Sequence, residues 1–203
     1  AHQYFMPTGP LAILPLPGNR SSVVWSETRT NADAIAALPD AAFLDVLRPR
    51  FGDFLGPIGL AGQRFSYPLS LSLADAYVAP RIALVGDAAH GVHPIAGQGL
   101  NLGFRDVAAL TEVLVDGMRL GLEPGDAQLL ERYERWRGLD TLMVAMATDG
   151  LNRLFGIPGK SASAVRRFGM GLVSRAKPLQ GFFMDEARGT SGAMPKLLQG
   201  IPI

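Results

Sequence analysis

At 203 residues, with 48% hydrophobic and 18% charged side chains, the chain is long enough for one sizeable core or parts of two, and too apolar for disorder. The absence of cysteine excludes a disulfide framework, a thiolate nucleophile, a cysteine zinc site and an iron–sulfur cluster. The net charge of +1 hides an asymmetry: residues 1–150 carry 11 Lys and Arg against 16 Asp and Glu, a net of −5, whereas residues 151–203 carry 8 against 2, a net of +6. No nucleic-acid partner is expected from this balance. No uninterrupted run of about 18 apolar residues is present, so no segment reads as a membrane span. The opening AHQYFMPTGP has neither an initiator Met nor targeting logic, and reads as the interior of something longer.

YFMPTGPLAILPLPGNRSSVVWSE predicts two strands, LAILPL and SSVVWSE, joined by the turn residues PGNR. Pro10, Pro15 and Pro17 suggest an edge strand or one side of a pocket, because proline has no N–H for a ladder. Thr30–Leu38 and Asp40–Leu47 are short helix candidates, the first capped by Asn31 or Asp33 and the second opened by Pro39–Asp40. Leu69, Leu71 and Leu73 alternate with Ser70 and Ser72, the period of a half-buried strand. RIALVG, ending at Gly86, fits a strand buried on both faces. Leu102, Val107, Leu110, Leu114 and Met118 fall at helical spacing. A polar loop at EPGDAQ precedes a long helix from Leu129 to about Leu154, broken at Gly156–Pro158–Gly159. A basic amphipathic segment follows from Ala162 to Met184. The order is β-rich first and helical last, so the fold class is α+β or α/β.

The stretch GDAAHGVHPIAGQGLNLGFRD joins a strand end to a helix through a loop with few side chains. Asp87 projects where the sheet opens. Gly91, Gly97 and Gly99 allow close main-chain approach or positive φ, and Pro94 stiffens the turn. The amides around Gly99–Asn101 then form a helix N-terminus, which favours negative charge. A carboxylate that accepts from hydroxyls, beside a helix end that stabilises an anion, suits a sugar alcohol joined to an electron-accepting ring, as in a flavin. A plain structural turn is the competing reading.

GDAAH, then P-x-A-G-Q-G-x-N-x-G, then an aspartate after two intervening residues, resembles the second flavin-binding motif of class A flavoprotein aromatic hydroxylases. More narrowly it is similar to the ubiquinone-biosynthesis hydroxylases, and PTGPLAILPL and SSVVWSE resemble that family's substrate-domain sheet. The resemblance covers most of residues 1–155. It implies a mixed β-sheet part of a substrate domain over 1–75, the C-terminal strand–loop–helix part of an FAD-binding domain over 76–155, and a helical tail over 156–203.

On this chain the resemblance places FAD against Gly86, Asp87, Pro94, Gly97, Gln98, Gly99, Leu100 and Asn101. Asp87 would accept from a ribitol hydroxyl, Gly97 to Gly99 would lie beside the isoalloxazine, and the Leu100 and Asn101 amides would meet its pyrimidine edge. Pro94 and Leu14 would face the substrate. NAD(P)H or another donor reduces such a flavin, and O2 supplies the oxygen that hydroxylates a phenol ring, here a polyprenyl phenol. No catalytic side chain is implied. The family's G-x-G-x-x-G unit is absent from this sequence, and no segment resembles the region that carries its middle DG motif, so the chain reads as a C-terminal half that holds FAD weakly or not at all by itself.

Asp87, His90 and His93 at i, i+3 and i+6 invite a metal reading, but Gly91 and Pro94 disfavour the helix it needs, and no metal is expected; His90 reads as a hydrogen-bonding residue under the loop. Ser70 and Ser72 have no nucleophile elbow. Arg81 and Arg105 read as solvated flanks or ion pairs ahead of contacts to phosphate or the donor nucleotide, and Trp25 and Phe65 as strand core ahead of faces for an aromatic substrate. In the tail, Val165, Phe168, Leu172, Ala176, Leu179 and Phe183 recur with Arg166, Arg167, Arg175 and Lys177. Residues 162–184 are therefore expected either to touch an anionic bilayer or to dock on the body. The expected location is cytoplasmic, peripheral to the inner face of a membrane. The alternative function is a non-catalytic module that binds a membrane or other ubiquinone-biosynthesis enzymes.

Overall fold

A computed structural model of the chain describes residues 1–92, 97–156, 177 and 193–203. They are organised in two compact units, one built on Ala1–Leu69 and one on Ser70–Leu151.

The first unit is a three-stranded antiparallel sheet with two helices. Strands β1 (His2–Met6), β2 (Gly9–Leu16) and β3 (Arg20–Trp25) lie in the order β1-β2-β3. Leu16 pairs Arg20, and Gly18 and Asn19 close the turn with positive φ of 74° and 54°. The expected hairpin is present, with β1 as an additional strand. β2 is therefore the central strand, not an edge. Its prolines are tolerated because β1 pairs only Gly9–Ile13, which leaves Pro15 with one neighbour. Pro10 turns its carbonyl, and hence its missing N–H, away from β1 toward Ser26, just past the β3 ladder. Along β2, Leu11 and Ile13 are buried while Leu14 and Leu16 are exposed.

The buried face meets helix α2 (Asp40–Phe51), whose Leu47 and Phe51 sit one turn apart. Burying each such side chain stabilises by roughly 2 kcal/mol. That contact explains why α2 runs through Pro49 to Phe51, beyond the expected end at Leu47, before Gly52 at φ 78° stops it. Helix α1 (Arg29–Ala36) starts from Thr28; Asn31 and Asp33 lie inside it and cap nothing, Asn31 bonding instead to Glu27. Trp25 packs against Phe43 and carries the Arg50 guanidinium 4.9 Å above its ring. Phe65 is not core: it lies outside any strand and is 71% exposed.

In the second unit, one short hairpin and one two-residue antiparallel ladder lie with two long helices. Strand β4 (Ser72–Leu73) pairs antiparallel with β7 (His90–Gly91), and β5 (Val78–Ala79) with β6 (Ile82–Ala83). Helices α3 (Gln98–Arg119) and α4 (Ala127–Gly156) supply most of the mass. Two sequence expectations fail here. Leu69, Leu71 and Leu73 are exposed, because alternation buries a face only where a second layer covers it, and among the described residues none does. RIALVG is not a doubly buried strand: only Ile82–Ala83 is paired in a ladder, its partner is β5 alone, and Ile82 is exposed.

The core consists of Tyr77, Ala89, Ala109, Val113, Leu129 and Tyr133. Gly117 lets α4 approach α3, since a Cβ there would stand 2.5 Å from a Leu129 methyl. The buried face of α3 is thus rotated from the expected stripe: Val107 and Met118 face outward. The Tyr133 hydroxyl donates to the Leu84 carbonyl at 2.8 Å, tying α4 to the segment before Gly86. Near the C-terminus, Trp136 Nε1 donates to the Ala193 carbonyl and the Lys196 amide to Glu112, and Pro195 is buried. The amphipathic segment 162–184 lies outside the described residues apart from Lys177, which is exposed. Among the described residues no helix is long and apolar enough to cross a membrane.

Candidate functional site

The site is built on the junction between Gly86 and α3. Residues Gly86–Ala88 form one turn of 3-10 helix, entered from extended backbone at Val85. Gly86 takes φ +59°, a region that a side chain would strain. Its Cα also stands 3.5 Å from where a Cβ on Gly103 would be, so the turn rests on the bare backbone of α3. Asp87 follows, with its side chain exposed.

Opposite it is the start of α3. Gly97 is the N-cap at φ +64°, no side chain caps the helix, and no acidic residue lies in its first turn. The first amides of a helix have no intrahelical acceptor, and a 22-residue helix presents the positive end of its macrodipole there. A Cβ on Gly99 would lie 3.9 Å from Asp87 Oδ1 and 3.8 Å from a Val92 methyl, and one on Gly97 would meet nothing within 4 Å. Open glycine backbone at the positive end of α3 and the Asp87 carboxylate therefore face one space, and they fit a flavin's ring and polyol. Gln98 is buried, Leu100 exposed, and Asn101 Nδ2 donates to Gln98 Oε1 at 3.5 Å.

The structure thus brings together Gly86, Asp87, Gly97, Gln98, Gly99, Leu100 and Asn101. The Gly86 amide is engaged within the protein, so its part is conformational. Pro94 and His93 lie outside the described residues. Leu14 is on the exposed face of β2, in the other unit.

Beneath the turn is a buried polar cluster that the sequence reading did not assemble. Asp106 of α3 is fully buried and accepts from the Gly86 amide at 2.9 Å, His90 Nε2 at 2.5 Å and Arg137 Nε at 2.8 Å. Arg137, also buried, bonds Asp140, which takes Arg105 Nη1 at 2.8 Å as well. Burial alone would raise the Asp106 carboxyl pKa, but the bonds from His90, Arg137 and Gly86 outweigh it and hold the carboxyl below its ordinary range. Burial would likewise lower Arg137, and its two carboxylates hold it above its ordinary value. Asp106 was visible as the last residue of the quoted motif. Its partner Arg137 comes 31 residues later on another helix, and no sequence spacing announces it.

His90 is the hydrogen-bonding residue expected under the loop, and Arg105 an ion pair, though a buried one. Arg81 is the exposed pair with Glu123 at 3.2 Å. Among the described residues no three metal-binding side chains converge.

Residues 21–145 match the family described as FAD binding domain, and the chain belongs to that family. Its relatives narrow the class. It is 49% identical over 206 residues to the ubiquinone hydroxylase UbiL of Rhodospirillum rubrum, covering 100% of this chain and 48% of that protein. It is 35% identical over 220 residues to the mitochondrial ubiquinone biosynthesis monooxygenase COQ6 of Drosophila melanogaster, covering 93% and 46%. The chain thus spans about half the length of these curated relatives. Among solved structures, PqsL of Pseudomonas aeruginosa, a probable FAD-dependent monooxygenase, is 25% identical with a TM-score of 0.63, over 76% of this chain and 43% of that one. The aromatic hydroxylase CabE shares the fold at a TM-score of 0.61 and 22% identity, over 92% of this chain and 37% of that one.

Proposed function

We propose that this chain is the flavin-ring half of an FAD-dependent monooxygenase that hydroxylates a polyprenyl phenol in ubiquinone biosynthesis, with O2 and NAD(P)H as co-substrates. The single observation that carries the reading is the Asp87 carboxylate standing beside Gly99 at the uncapped head of α3. UbiL and COQ6, the relatives named above, support the substrate class.

FAD, when bound, supplies the electron transfer and the activation of O2. The residues of this chain bind and orient it. Asp87 accepts from ribitol hydroxyls. Gly97 and Gly99 keep side chains out of the ring's path. The amides at Leu100 and Asn101, at the positive end of the helix, stabilise negative charge on the pyrimidine edge of the reduced ring. This chain contains no G-x-G-x-x-G unit, so the ADP end is assigned to other residues of the whole protein, and the chain alone is expected to hold FAD weakly. A peripheral contact with the cytoplasmic face of a membrane through 162–184 belongs to the same proposal; co-sedimentation of the full-length protein with anionic vesicles tests it.

The decisive experiment is Asp87→Ala in the full-length protein, read as the flavin-to-protein absorbance ratio after purification. Loss of a charged acceptor predicts roughly tenfold or weaker FAD binding. A variant that purifies fully yellow refutes the assignment.

A further inference from the structure

We propose that Asp106, held by Arg137, is a positioning residue for the flavin site: it fixes the Gly86–Asp87 turn so that the Asp87 carboxylate stands at the head of α3. This inference rests on the flavin reading above.

The Gly86 amide donates into the buried Asp106 carboxylate, and Gly86 directly precedes Asp87. Gly86 sits at φ +59°, where glycine is permitted but not confined. A charge-assisted bond from its amide selects that conformation from the others open to it. Asp106 lies on α3, the helix whose first amides form the other side of the cradle. One rigid element therefore carries both the amides and the anchor for the opposing carboxylate. The second oxygen of Asp106 is taken by Arg137, itself held by Asp140, so the carboxylate cannot swing.

Stability alone is a poor reason for this arrangement. Replacing a buried ion pair by apolar side chains of similar volume is often neutral or stabilising. What an apolar pair cannot do is hold the Gly86 amide at a fixed direction, one residue from the candidate ligand. A positional role accounts for a buried charge cluster at this place.

The test is a double-mutant cycle on the full-length flavoprotein, with FAD dissociation constants measured by flavin fluorescence. Asp106→Asn is combined with Arg137→Gln so that no buried charge is left alone, and each genotype is made with and without Asp87→Ala. With Asp87 present, the paired change is expected to weaken FAD binding roughly tenfold or more. With Asp87→Ala, the same change is expected to cost little further, because its effect runs through that carboxylate. A general loss of structure would instead weaken binding equally in both backgrounds, and that result overturns the proposal. Full FAD affinity in the paired variant also overturns it and leaves the flavin reading standing, whereas full affinity in Asp87→Ala alone overturns both. A measurement on the unmutated protein adds to the cycle: the Gly86 amide is expected to exchange with solvent slowly, and exchange at the rate of an exposed turn counts against the anchor.

Discussion

Arg137→Met isolates the energetic weight of the buried cluster. The guanidinium is 1% exposed and bonds Asp106 and Asp140; methionine keeps much of the stem's packing and removes the charge. Removing one partner of a buried pair commonly costs about 3–5 kcal/mol. Asp106 keeps two donors, the Gly86 amide and His90, and Asp140 keeps Arg105, which places the expected loss near the lower end, about 3 kcal/mol. For a chain of this size that is a fall of roughly 6–12 °C in Tm. Thermal unfolding at neutral pH measures it. The difference should also depend on acidity. Asp106 titrates below its ordinary value of 3.8, so the stability it contributes is complete above that value and is lost as pH falls through the lower folded-state value. The wild-type and Arg137→Met curves are therefore expected to converge below about pH 4. A Tm change under about 2 °C at neutral pH, or a gap that widens in acid, refutes the reasoning.

Gly99→Ala separates folding from binding. Gly99 is helical, and alanine there is expected to stabilise by about 0.5–1 kcal/mol, while its methyl enters the space beside Asp87 and Val92. Higher Tm with weaker FAD binding is the expected pair of results; unchanged binding would place the ring elsewhere. Tyr133→Phe removes the bond to the Leu84 carbonyl and is expected to cost about 1 kcal/mol, measurable as roughly 2–4 °C in Tm. A neutral result would show that water satisfies that carbonyl equally well.

Local chemistry made part of the fold legible. PGNR specifies a turn wherever it occurs, and the flanking apolar and β-branched residues specify its arms, so β2 and β3 could be read directly. β1 could not, because HQYFM lacks the apolar–polar alternation of a strand, and the turn over residues 7–9 after it marks a boundary without showing what precedes it. Leu69, Leu71 and Leu73 show the opposite error: the period of a strand is present, but its burial depends on a covering layer that a local pattern does not reveal. The length of α2 was decided by Phe51 reaching the sheet, a tertiary contact that outweighs the preference of the residue before Pro49. At the site, Asp87 and the glycines of the 97–99 loop were legible because their chemistry is carried by residue type at short spacing. The Asp106–Arg137 pair was not, since two helices had to fold together before it existed.

Gly86 and Gly103 meet main chain to main chain, with no side chain between the turn and α3. Such a joint has no rotamers through which to relax, so its height is dictated by covalent geometry. The outward row of Leu100, Phe104 and Val107 on the same helix can then be rewritten for a different neighbour without disturbing the grip on the other side.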